Sequence, residues 1–219
     1  MQRQPVRKLL EAGVALTLFT IALPVICLGA LASFISYRAW PFFVQERVGY
    51  EGRTIRIRKI RTLPPATAQY ADKYSIRANE IPRAMKLLRR LHIDELPQLL
   101  HVCRGDMAFV GPRPEMAVLH DALPDSFASE RTSVAPGLTG LWQISPHNQQ
   151  LIGERPEYDR LYVSFRSTKL DAFILRRTML KMTLGRPTYL HEVPVRVVND
   201  ERARPLAHSS QGRTVSLVD

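Results

Sequence analysis

The chain of 219 residues is 45% apolar, enough to bury a core, and this excludes disorder along its whole length. Its 31 lysines and arginines stand against 20 acidic residues, and the net charge of +11 points to anionic partners: phospholipid headgroups, phosphorylated substrates or nucleic acid. Cys27 and Cys103 form no C-x-x-C pair, so neither a disulfide framework nor a zinc centre is indicated, and both read as small buried hydrophobes.

From Ala12 to Ile35 no residue is charged. The run exceeds the roughly 20 apolar residues that cross a bilayer and is long for the roughly 7–15-residue apolar stretch of a signal peptide. Arg3, Arg7 and Lys8 precede it, and Tyr37, Arg38, Trp40, Phe42 and Phe43 follow as an aromatic and basic cluster suited to the headgroup level. Pro24 sits at its centre and removes a backbone donor, which predicts two half-helices, Ala12–Leu23 and Val25–Ile35. Each is roughly 16–18 Å long, about half a bilayer. Basic residues at both ends prefer the cytoplasm. A helix-break-helix hairpin dipping into one leaflet satisfies both the proline and the charges, whereas a proline-kinked span satisfies the hydropathy; the residues alone leave both open.

Val44–Val48 and Thr54–Ile60 flank Gly49-Tyr50-Glu51-Gly52, and Ile55 and Ile57 alternate with Arg56 and Arg58, which predicts a β-hairpin with one basic face. Residues Ala66–Asn79 are polar without period and read as a loop. Pro82 opens a helix over Arg83–His92, with Met85, Leu88 and Leu91 inward, and a short helix follows at Glu95–Cys103. Gly105-Asp106 ends it, Met107–Val110 reads as a strand, and Gly111-Pro112-Arg113-Pro114 as a stiff loop. Ala135–Gly140 is a second punctuated loop leading into Leu141-Trp142-Gln143-Ile144. A long helical region is expected over Glu154–Leu184, with Leu170, Phe173 and Ile174 on one face and Arg177 and Lys181 near its end, suited to a core or to a membrane surface. The tail from Gly185 has Pro187, Pro194 and Pro205 and no period.

The strongest local signal is Leu91-His92-Ile93-Asp94-Glu95-Leu96-Pro97-Gln98-Leu99-Leu100. Leu96, Leu99 and Leu100 share a helical face and Pro97 is tolerable only in a first turn, so Asp94 falls at or next to a helix N-terminus. There it can serve as an N-cap, with Glu95 facing the helix dipole. Adjacent carboxylates among fixed cations also suit a divalent metal, phosphate oxygens and a nucleophilic aspartate.

Five stretches in order give the chain a resemblance. They are the proline-interrupted apolar segment; Gln45-Glu46-Arg47-Val48-Gly49 with Lys59-Ile60-Arg61-Thr62; Ile93-Asp94-Glu95-Leu96-Pro97-Gln98 with Gly105-Asp106-Met107; Val110-Gly111-Pro112-Arg113-Pro114-Glu115; and Pro136-Gly137-Leu138-Thr139-Gly140-Leu141-Trp142-Gln143. The ordered set resembles the bacterial sugar transferase family, the monotopic polyprenyl-phosphate phosphoglycosyl transferases, in their minimal catalytic form.

The resemblance implies an α+β fold. A proline-broken reentrant membrane hairpin over 1–40 would precede a compact, mainly helical domain over 41–184 with a small β-hairpin or sheet and interfacial amphipathic helices. A flexible basic tail over 185–219 would follow. It implies transfer of a sugar-1-phosphate from a UDP-sugar to polyprenyl (undecaprenyl) phosphate through a covalent phosphosugar on Asp94, with release of UMP, as the first membrane step of surface glycan or exopolysaccharide assembly. Asp94 and Glu95 would be catalytic, and Asp94 would hold Mg²⁺. Lys59, Arg61, Arg113, His147 and Asp159 would form the substrate and phosphate site. His147 stands where the family has an arginine, and Leu23 precedes Pro24 where the family often has serine. The expected setting is the cytoplasmic face of the bacterial inner membrane, in contact with lipid, without nucleic acid and with room for a homodimer. Two rival readings remain on sequence: a tethered nucleic-acid binder, for which no recognised module is present, and a catalytically silent scaffold of a glycan-assembly complex.

Overall fold

The computed structural model describes residues 5–67 and 81–194, so all but the first two residues of the loop expected over Ala66–Asn79, and the tail beyond 194, lie outside the described residues. The chain divides into two compact units, Met1–Leu138 and Thr139–Asp219.

The first unit opens with one α-helix, α1 (Pro5–Tyr37), roughly 50 Å long at about 1.5 Å per residue. The two half-helices expected on either side of Pro24 are therefore one element. Proline removes a single bond of the helical ladder, and packing on both of its flanks holds the neighbouring turns. N-terminal to Pro24, Ala15 joins Ile57, Val102 and Met107 in a buried cluster. C-terminal to it, Ser33 is fully buried and donates to the Arg61 carbonyl at 2.6 Å, and the Tyr37 hydroxyl donates to the Thr62 carbonyl at 3.0 Å. The opposite side of α1 carries exposed Leu9, Val14, Ile21, Leu28, Leu31 and Ile35. Cys27 is exposed on this helix and Cys103 half-buried, so neither is the fully buried hydrophobe expected.

Gly29 marks the closest approach of α1 to the rest of the unit. A Cβ there would stand 2.9 Å from the Ile60 Cδ1 methyl and 3.6 Å from Ile93 and Leu88 side-chain carbons. Gly29→Leu is expected to lower stability by about 1–3 kcal/mol through overpacking, read as a lower thermal midpoint. Gly29→Ala, which asks only one methyl to move, should cost less.

Strands β1 (Phe42–Val48) and β2 (Thr54–Ile60) pair antiparallel across a 3₁₀ turn at Tyr50–Gly52, as the alternation predicts. On β2, Arg56 and Arg58 are exposed, Ile57 is buried, and Lys59 shares the inward face with Ile55 and Ile57. Helix α2 (Arg83–Arg90) ends two residues before the expected His92, because His92 adopts a left-handed conformation at φ 54°. A 3₁₀ segment, Ile93–Gln98, then leads into α3 (Leu99–Arg104), where a single helix was expected. Pro97 fits the 3₁₀ turn, and Gly105 closes α3 at φ 81°. Short β3 (Ala108–Val110) follows, then α4 (Ala117–Asp121) and α5 (Asp125–Thr132); β3 pairs with β4 (Gly137–Thr139), whose Gly137 and Leu138 end the unit.

In the second unit, α6 (Leu141–Ile144), α7 (Glu157–Phe165) and α8 (Thr168–Leu184) bury Trp142, Ile144, Tyr158, Leu161, Tyr162, Leu170 and Ile174. The long helical region expected from Glu154 is divided. Arg166 and Ser167 are extended, and the Ser167 hydroxyl caps α8 by accepting from the Leu170 N–H at 3.2 Å. Lys181 donates to the Gln143 and Ser145 carbonyls at 2.9 and 2.8 Å, tying α8 to the end of α6.

Candidate active site

Three elements of the first unit converge through side chains of opposite charge. Because Lys59 occupies an inward position of β2, its ammonium is removed from solvent and donates to Glu95 Oε1 at 2.6 Å. Arg113, between two prolines that fix its flanking φ angles, approaches the same oxygen through Nη2 at 3.4 Å. Burial alone would raise the Glu95 carboxyl, but the two cations outweigh it and hold it far below the usual carboxylate range. Burial lowers the Lys59 pKa, with Glu95 opposing, and the Glu95 charge raises that of Arg113. Glu95 is thus a fixed anion that aligns two cations, each keeping N–H donors beyond those directed at Glu95.

Asp94 is different. It lies inside the 3₁₀ segment, 8% exposed, while His92 occupies the N-cap position and no side chain caps that turn. The N-cap reading of Asp94 is therefore corrected. No hydrogen bond or ion pair reaches the Asp94 carboxylate among the described residues. Burial and the adjacent Glu95 charge raise its pKa, and Lys59, Arg89 and His92 oppose them. A shielded carboxylate of raised basicity, unpartnered beside cations with spare donors, is equipped to attack an electrophilic phosphorus.

The loop carrying Arg113 is gripped on all sides. A Cβ on Gly111 would collide with the Ala135 carbonyl and stand 2.8 Å from the Gly137 nitrogen, so only glycine permits this approach. The Pro112 carbonyl accepts from Gly137 N–H at 2.9 Å, and the Pro114 carbonyl from Arg47 Nη1 at 3.3 Å. Arg47 is buried enough, with Arg113 nearby, that its pKa falls to about 10.

The structure thus brings Asp94, Glu95, Lys59 and Arg113 together. Arg61 is directed elsewhere within the first unit: its Nε donates to the Trp40 carbonyl at 2.9 Å and its guanidinium lies 5.9 Å from the Phe43 ring centre. His147 and Asp159 belong to the second unit. There the His147 N–H donates to Ser145 Oγ at 3.1 Å and its ring lies 6.0 Å from that of Tyr158. Asp159, whose adjacent arginine suggests a surface acid, is 1% exposed. Sequence reasoning assigned no role to Arg47 or Arg131; the available signal was a charged residue at a position that the neighbouring alternation or helical spacing turns inward.

Among the described residues no group of three or more His, Cys, Asp and Glu side chains could hold a metal ion. The donor set nevertheless fits magnesium. Mg²⁺ takes hard oxygen ligands, commonly one or two carboxylates completed by waters and substrate phosphates, and Asp94 is the carboxylate here that no cation holds.

A model of the family described as bacterial sugar transferase matches residues 2–185. Exopolysaccharide production protein ExoY of Rhizobium meliloti (strain 1021) is 35% identical over 198 residues, covering 82% of this chain and 85% of its own. A UDP-glucose:undecaprenyl-phosphate glucose-1-phosphate transferase of Caulobacter vibrioides is 34% identical over 190 residues, 79% of this chain and 68% of its own. A protein described in the same words from Escherichia coli (strain K12) is 32% identical over 201 residues, 84% of this chain but 42% of its own.

Proposed function

The chain belongs to the bacterial sugar transferase family and is a phosphoglycosyl transferase, and we propose that it moves a sugar-1-phosphate from a UDP-sugar to undecaprenyl phosphate through a covalent phosphosugar on Asp94. The observation that carries this reading is the unpartnered, buried Asp94 carboxylate beside the Lys59–Glu95–Arg113 cluster.

An Asp94 oxygen attacks the sugar-proximal phosphorus. The new O–P bond forms as the bond from that phosphorus to the bridging oxygen breaks, and UMP leaves with the electron pair. An oxygen of undecaprenyl phosphate then attacks the same phosphorus, giving the lipid diphosphate-linked sugar and freeing the carboxylate. Two anions must meet at each step, so Lys59 and Arg113 act by neutralising the phosphoryl oxygens. Glu95 keeps both cations in place before substrate arrives. Asp94 would hold magnesium, which would supply further charge neutralisation.

The acceptor is a lipid, and α1 is long and apolar enough to cross a membrane by length and composition. Residues on both sides of Pro24, Ala15 as well as Gly29, Ser33 and Tyr37, pack on one globular unit. A crossing would drag that unit, with exposed Arg56 and Arg58, into lipid, so α1 seats the unit on one membrane face without crossing it. The bacterial inner membrane, from its cytoplasmic face, fits the basic residues around α1. On α8, exposed Leu175, Met179 and Met182 beside Arg176 suit an interfacial helix.

The released nucleotide tests the chemistry. With Mg²⁺, undecaprenyl phosphate and a panel of UDP-sugars, nanodisc-held protein is expected to release UMP; release of UDP would mean transfer of the sugar alone and overturn the proposal.

A further inference from the structure

Arg131 lies on α5, 4% exposed, four residues after buried Phe127, whose ring centre its guanidinium approaches at 5.8 Å. Helical spacing turns this position inward, where an aliphatic side chain would meet the packing need at no electrostatic cost. A buried guanidinium is costly, and calls for a bond that an aliphatic residue cannot make. Its Nη2 donates to the Arg113 carbonyl at 2.8 Å.

That bond completes a series. Three consecutive carbonyls, of Pro112, Arg113 and Pro114, accept from three separate elements: the Gly137 backbone, Arg131 and Arg47. The middle carbonyl belongs to the residue whose side chain reaches Glu95.

We propose that Arg131 is a positioning residue: by holding the Arg113 carbonyl, it sets the direction in which the Arg113 guanidinium meets Glu95 and an incoming phosphate. The inference rests on the reaction proposed above, in which Arg113 neutralises phosphoryl oxygens.

The test is a double-mutant cycle on the full chain in nanodiscs, read as kcat/KM for the UDP-sugar with undecaprenyl phosphate. Arg131→Met is expected to lose about a hundredfold in the wild-type background, the scale of a small misplacement of a catalytic group. In an Arg113→Met background the same change should lose almost nothing, because the side chain it aims is gone. Arg131→Lys, retaining charge and a donor, should recover part of the loss and carries the cycle should Arg131→Met not fold. Equal losses in both backgrounds, or no loss in the wild-type background, would overturn the proposal. The cycle compares ratios of total nucleotide release, so it stands apart from whether that nucleotide is UMP or UDP, which judges the reaction itself.

Discussion

Asp94→Asn is expected to lower turnover by on the order of 10⁴-fold or more while leaving the fold intact. The two halves of this expectation come from one observation. Because nothing among the described residues hydrogen-bonds or ion-pairs with the carboxylate, an amide of the same shape breaks no contact. Burial and the neighbouring Glu95 both disfavour the charge that is removed, so the thermal midpoint should stay or rise slightly. Activity falls because an amide cannot form the phosphosugar intermediate. A variant that loses activity together with several degrees of melting temperature would instead mean that Asp94 supports the fold.

Lys59→Met should lower activity too, but unlike Asp94→Asn it should lower stability with it. Glu95 would keep only the Arg113 contact at 3.4 Å, and weakening the pairing of this part-buried carboxylate costs about 1–3 kcal/mol. The pH dependence separates this from a packing defect. In the wild type the Glu95 pKa is depressed from its ordinary 4.5 by Lys59 and Arg113, against its burial. Its stabilising contribution is therefore complete above about pH 4.5 and fades as pH falls toward the depressed value. Without Lys59 the burial effect gains weight and the folded pKa moves up. If it passes the unfolded value, protonation then favours the folded state, so the stability lost at neutral pH is partly regained on acidification. Urea unfolding of both proteins from pH 7 to pH 4 should show the gap between them narrowing as pH falls; a constant gap would assign the loss to packing alone.

What the sequence revealed and what it hid follow from the range of the forces involved. The hairpin was legible because Ile55 and Ile57 alternate with Arg56 and Arg58, a pattern that a strand imposes on neighbours two apart. The same alternation placed Lys59 inward, although its charge invites a solvent-facing reading; only the partner Glu95, 36 residues away in the chain, accounts for it. The grouping of Asp94, Glu95, Lys59 and Arg113 came from the resemblance, since local pattern alone allowed Asp94 to be a cap. The actual cap position falls to His92 because its left-handed backbone ends α2 and reorients the chain two residues earlier. The division between α7 and α8 had a short-range signal, Ser167 three residues before Leu170, masked by apolar periodicity on both sides. Pro24 misled in the other direction: a missing backbone donor argued for a break, and tertiary packing of Ala15, Gly29 and Ser33 keeps one helix. Helical spacing marked Arg131 as turned inward but not what it holds there, because the bond to Arg113 is to a carbonyl, which every residue has.

The central claim is the covalent phosphosugar on Asp94, and peptide mass spectrometry tests it most directly. The chain is incubated with Mg²⁺ and its UDP-sugar in the absence of lipid acceptor, quenched and digested. The account predicts an added mass of one phosphosugar on the peptide containing Asp94, absent from Asp94→Asn and discharged when undecaprenyl phosphate is supplied. Full turnover with no adduct, or an adduct on a different residue, would contradict it.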